Sequence, residues 1–580
     1  MKQVKVGILF CIALLATSFA KAQSIEEGKR FMYYERYKSA KDVLEKLVAA
    51  NAANADAAYL LGQTYLALED VAAAKSLYQR TLMANPNSPL LIAAMGHIEL
   101  LEGKLQDARS RFETAVSLTQ GKNIGVLNAV GFANVDAKEG DAMYAVDKLK
   151  QATTIKGFKD PEVYTNLGDA YRKMGDGGSA LRSYESALAV APNYAKASYR
   201  IGKIYQTQGR QQEDIFMRYY NDAIAKDAAY APAYFNLYSY FYETNVTRSA
   251  GYLDQYLNYA DDDSKNCYYR ASMKFAQGLF QETITKADEC IVAGGNAPYP
   301  NLYGLKGYAY NRLGDSINAK SSFETYLAKQ QPEKLGPNDF ATYAKILLKF
   351  PGNETLAGEM IDKAVVADSL ETGKVEYLKG MATYYLNLKM YAQAADWYNK
   401  MLTVKKNITK TDLYNAGYNY YRGSNYPKAI EVFTIYTQKF ADDLLGHYMI
   451  ARSNALIDTT MTLGLAVPAY EKVVAVGEAS TDTAKVKDQL LASYKYLIAY
   501  YFNIKRDKTT ALLYADKALV LNPTDAEMIA NKEAISKANM APPKPAPAKP
   551  AVKTPAKTPA KAPTKAPAKA PAKPAPKKKS

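Results

Sequence analysis

Small, aromatic and apolar residues return along this chain at helical spacing. Tyr164 and Tyr171 each lie three or four residues from the adjacent Leu167 and Gly168, and Ala180, Tyr184 and Ala187 repeat that interval before Pro192. Residues three or four apart share one face of an α-helix. The run therefore predicts two antiparallel helices, the first carrying Gly168 and the second Tyr184. The same frame recurs at Gly62, Tyr65, Ala74, Tyr78 and Pro86, and again at Gly96, Ala108, Phe112 and Ala115. It returns at Gly202 and Tyr205, at Gly307, Tyr310, Ala319 and Phe323, and at Gly417, Tyr420, Ala429 and Phe433. A last copy reads Ala511, Ala515, Ala518 and Pro523. From Gly62 to Gly96 is 34 residues, as is Gly168 to Gly202. A fixed period of this length signals stacked repeats, in which no pair buries its face alone and stacking builds one continuous core. Small residues let the two backbones approach, and the aromatics fill the space between successive pairs. Most of the 49 Tyr are accordingly expected to be packing residues.

The frame resembles the tetratricopeptide repeat family, whose signature is a small residue and a Tyr in the first helix, then Ala, an aromatic, Ala and Pro. The resemblance implies an all-α fold: a right-handed superhelix of about thirteen helix pairs from Ser24 to Asn539. It also implies a concave face, lined by the first helix of each pair, that binds extended peptides or partner helices. The family's groove positions, carried onto this chain, fall on Asn166, Lys196, Arg200 and Lys203, on Tyr234, Tyr238 and Tyr308, and on Tyr414, Tyr418 and Tyr421. Lys196 and Arg200 stand one helical turn apart, a spacing at which both can hold one carboxylate. With Asn166 they match part of the family's carboxylate clamp, whose remaining Lys and Asn positions are Gly131 and Val135 here. The tyrosines would suit a Pro-rich peptide, an apolar partner helix or sugar. Packing against neighbouring helices is the alternative use of the same rings.

The ends of the chain change the picture. Lys2 and Lys5 precede an apolar run from Val6 to Ala16, followed by Ala20-Lys21-Ala22. This pattern predicts a signal peptide over 1–22, too short in its apolar part to remain as a membrane anchor. An array over 23–540 follows, and Pro and Gly residues clustered near 294–340 mark loops or the meeting of two sub-arrays. After Met540 the composition turns to Pro, Ala and Lys, which cannot build a core, so 541–580 is expected to be a disordered, extended tail. At roughly 3 Å per residue it would reach on the order of 100 Å.

Charge follows the same division. Removing the tail's eleven Lys from the formal +16 leaves +5, and removing Lys2, Lys5 and Lys21 leaves +2 for the body. The basicity belongs to the tail, which would meet an anionic envelope surface or serve as a spacer. Nucleic-acid binding through the tail is an alternative that the export signal argues against.

Candidate chemistry is sparse. The mature chain keeps Cys267 and Cys290, placed near opposite ends of two consecutive helices, either bridged or as two separate thiols. His97 and His447 are the only histidines, and no phosphate loop, nucleophile elbow or metal-binding spacing occurs. The expectation is a non-enzymatic scaffold without cofactor or metal, exported to the periplasm or outer membrane of a Gram-negative envelope and holding envelope proteins or peptides. A chaperone-like carrier for exported clients is the other reading of the array.

Overall fold

A computed structural model describes residues 25–539, so the expected signal peptide and tail lie outside the described residues. Within them the chain forms twenty-nine α-helices, from α1 (25–33) and α2 (Tyr37–Ala50) to α29 (Ala526–Lys537). They run as fourteen consecutive pairs closed by a single last helix, one pair more than the repeat frame alone suggests. The chain falls into two compact units, the first ending at Ala367 and the second starting at Asp368. The stretch 294–340 lies inside the first unit, where Pro337 opens the helix Pro337–Leu347.

Local chemistry explains why the frame folds as it does. Several second helices open on a capping side chain: Asp70 accepts from the Ala73 amide and Asp176 from the Ser179 amide. First helices end in a tight turn through one left-handed residue, and Glu35, Glu69 and Gly103 occupy that place at intervals of 34. Between the two helices the small residue lies under the aromatic that follows it within the same pair. A Cβ placed on Gly62 would come within 2.1 Å of the Tyr78 ring, and one on Gly168 within 2.3 Å of the Tyr184 ring. Tyr184 therefore closes its own pair, and its buried cluster continues into Ala197 and Ile201 of the next one. Tyr78, Phe112, Tyr184, Phe323 and Phe433, all at this register, are fully buried. Truncating such a ring to Ala typically costs about 3–5 kcal/mol.

Candidate functional site

The groove residues taken from the repeat frame lie on first helices, yet their side chains have different fates. Asn166 sits on α9 (Pro161–Lys173) and is buried, its amide donating to Asn128 Oδ1 at 2.8 Å. On α11 (Ala195–Thr207), Lys196 Nζ donates to Glu162 Oε1 at 2.6 Å, and Arg200 Nη2 lies 3.3 Å from Asp169 Oδ2. Lys203 Nζ donates to Asn236 Oδ1 at 2.9 Å. Each cation is thus matched to an acceptor from a neighbouring repeat, and Lys196 and Arg200 take two different carboxylates instead of converging on one. Burial would push the Glu162 carboxyl up, but the Lys196 charge and the Lys196 and Tyr194 hydrogen bonds hold it below the ordinary range. Burial lowers the Lys203 pKa, and the Arg172 and Arg200 charges lower it further.

The tyrosines divide in the same way. On α13 (Ala231–Phe241), Tyr234 and Tyr238 are both buried. Tyr234 stacks on Tyr259 with ring centroids 5.9 Å apart, and the Tyr238 hydroxyl lies 3.0 Å from Ser272 Oγ. Tyr308 donates its hydroxyl to Asp339 Oδ1 at 2.7 Å. On α23 (Lys410–Arg422), by contrast, Tyr414, Tyr418 and Tyr421 are only half-buried and form one stacked row, with centroids 5.0 and 6.2 Å apart. The Arg452 guanidinium sits 5.1 Å from the Tyr421 ring.

Cys267 and Cys290 are joined in a disulfide with Cα atoms 5.7 Å apart. It ties the start of α15 (Ser264–Ala276) to the end of α16 (Phe280–Ala293), as the antiparallel pair requires. Among the described residues, no group of three or more His, Cys, Asp or Glu is placed to hold a metal ion. Among them, too, no helix is long and apolar enough to cross a membrane.

The frame did not reveal a second set of residues, those that bring the turn between α1 and α2 onto this face of the first unit. Tyr33 packs between Tyr194 and Tyr230, at 5.4 and 5.3 Å between centroids, and its hydroxyl accepts from the Lys196 amide at 3.4 Å. Tyr34 donates its hydroxyl to Asp227 Oδ2 at 2.9 Å. Arg36 Nε donates to Asp261 Oδ1 at 3.2 Å, while the Lys38 and Ser39 amides donate to Asp261 Oδ2 at 2.7 and 3.1 Å. Helix α2 has Arg36 at its cap position with no side-chain cap of its own. Asp261 supplies that cap from more than two hundred residues away. The only sequence sign of this arrangement was Tyr33-Tyr34-Glu35-Arg36 itself, a charged and aromatic turn where several other repeats, as at Gly103 and Gly175, place Gly.

Family models of the tetratricopeptide repeat match residues 31–98 and 300–328, and a model of the TPR repeat matches 168–209. A TPR repeat-containing protein of Methanocaldococcus jannaschii is 21% identical over 54% of this chain and 52% of its own length. Cellulose synthase operon protein C of Komagataeibacter sucrofermentans is 27% identical over 24% of this chain and 10% of its own. The chain thus spans about half the length of the first of these curated relatives and a tenth of the second. Among solved structures, the C-terminal part of a TPR repeat-containing protein from Cytophaga hutchinsonii is 28% identical. That match covers 45% of this chain and 98% of the other, with a TM-score of 0.26.

Proposed function

Because the chain is a tetratricopeptide repeat protein, we propose that it is an exported scaffold that holds other proteins of the cell envelope on the face lined by its first helices. The observation that carries this reading is that the edge of this face, where the loops between pairs enter the first helices, already holds polypeptide: the turn 33–39 is bound there by Asp227, Asp261 and the Tyr194 and Tyr230 rings. A surface that grips one segment through aromatic faces and carboxylates has the chemistry to grip another. Export is supported by the signal-like pattern of 1–22 and by the disulfide, since such bonds persist in oxidising compartments. The Lys-, Pro- and Ala-rich segment 541–580 serves as tether to an anionic envelope component or as spacer.

Crosslinked pull-down from fractionated cells tests the reading with three proteins: the full chain, the chain lacking 541–580, and a Lys203→Glu/Tyr418→Ala variant. Defined envelope proteins captured by the first two and lost from the third are the expected result. Recovery in the cytosol with no envelope partner would refute it.

A further inference from the structure

The turn between α1 and α2 is held in a way that differs from every contact that builds the repeats. Its own pair is packed elsewhere: Phe31 and Met32 join the cluster of Ala40, Leu44, Ala58 and Leu61, which continues into the following repeats. Tyr33 and Tyr34 instead pack on a separate small cluster of Ala195, Ala223, Tyr230 and Ala233. The two clusters share no residue. Releasing the turn would leave the packing of α1 on α2 in place.

Charge makes this contact specific and at the same time separable. Arg36 and Lys38 stand at the N-terminus of α2, where the helix dipole disfavours cations. They are balanced by carboxylates from the loop before α15: Asp261 receives Arg36, and Asp263 lies 3.2 Å from Lys38 Nζ. The Arg36 side chain remains 35% exposed and that of Lys38 47%, so water reaches the pairs and they are individually weak. The cradle has a defined preference: an aromatic ring between Tyr194 and Tyr230, a phenol hydroxyl on Asp227, and a cation with the free amides of a helix start on Asp261.

We propose that Tyr33–Ser39 is a latch occupying a partner-binding surface of the first unit, and that the natural partner segment carries two aromatics followed by a basic residue at the start of a helix. This deepens the scaffold reading and rests on it for the existence of a partner. The latch lowers apparent affinity by the fraction of molecules in which it is closed. A competitor with the same chemistry enters when the turn leaves.

The probe is a fluorescent peptide with the sequence of residues 29–41, titrated into the full chain, an Arg36→Gln chain and a Tyr34→Ala/Arg36→Ala chain. The milder Arg36→Gln change keeps the apolar packing of α1 on α2, losing only the guanidinium that sits 4.8 Å from the Phe31 ring, and stands as the test should the double variant misfold. We expect both variants to bind the peptide at least about tenfold more tightly than the unaltered chain. Adding Asp227→Asn and Asp261→Asn to either should abolish that binding. Hydroxyl-radical footprinting should show Tyr194 and Tyr230 more reactive in the variants and protected again by the peptide. Equal binding by all chains, no binding by a folded variant, or unchanged protection of Tyr230 would overturn the latch. The scaffold reading fails separately: envelope proteins captured equally by latched and released chains refute the latch alone. Peptide binding to the released chain with no envelope protein captured by any version refutes the scaffold alone.

Discussion

Tyr234 and Tyr238 on α13 and Tyr414, Tyr418 and Tyr421 on α23 hold equivalent places in the repeat frame, yet one pair is core and the other trio is surface. Around α13 rings converge from its own pair and from the next: Tyr259 of α14 (Val246–Tyr259) stacks on Tyr234, and Tyr242 at the end of α13 and Tyr269 of the following repeat lie 5.8 and 5.9 Å from Tyr238. Around α23 the rings stack chiefly on one another along their own helix. A groove position therefore specifies direction, while burial depends on what the adjoining repeats carry.

Four measurements sharpen this contrast. The largest effect is expected from Tyr238→Ala, which empties a buried site and removes the hydroxyl from Ser272; denaturant unfolding should show a loss of about 3–5 kcal/mol from the first unit. Next comes the disulfide beside it. Replacing Cys267 and Cys290 with Ser opens a loop with a sequence separation of 23, and the loop-entropy model gives about 3 kcal/mol, read as a lower melting temperature matched by reductant treatment of the native chain.

The third measurement is alkaline titration. Burial pushes the Tyr238 phenol up to about 12, against an unfolded value near 10. The folded state therefore keeps a proton that the unfolded state releases. The stability this gives is complete below pH about 10 and falls as pH rises towards 12, by about 2–3 kcal/mol in all. Tyrosinate absorbance followed with helical circular dichroism should show ionisation of the buried phenols coupled to unfolding.

The smallest effect belongs to Tyr418→Ala. This change removes a half-exposed ring from a surface stack and should cost less than about 1 kcal/mol of stability. If that substitution instead costs as much as Tyr238→Ala, the distinction between core and surface rows is wrong.

Much of this protein was legible in the chain because its information is local. Gly168 and Tyr184 lie sixteen residues apart and meet inside one helix pair. Their spacing alone was enough to place both helices, the turn between them and the need for a small residue. The same short-range logic brought Cys267 opposite Cys290, although spacing by itself left open whether the thiols would bond. The fates of the groove side chains were less legible. Lys196 and Arg200 read as groove residues able to share one carboxylate, with Lys203 on the same face, but each of the three finds an acceptor on an adjacent repeat, because helices packed this closely put the charges of one repeat within reach of the next.

The sequence by itself determined the repeat: the helical spacing, the period and the small-on-large contact are set by residues within one unit and its immediate neighbours. Only the tertiary structure decided which tyrosines are core and where the chain meets itself again. The contact of Tyr34 with Asp227 and of Arg36 with Asp261 spans 193 and 225 residues. Small rotations accumulated over the intervening repeats bring those residues together, and no spacing rule within a single repeat encodes their sum.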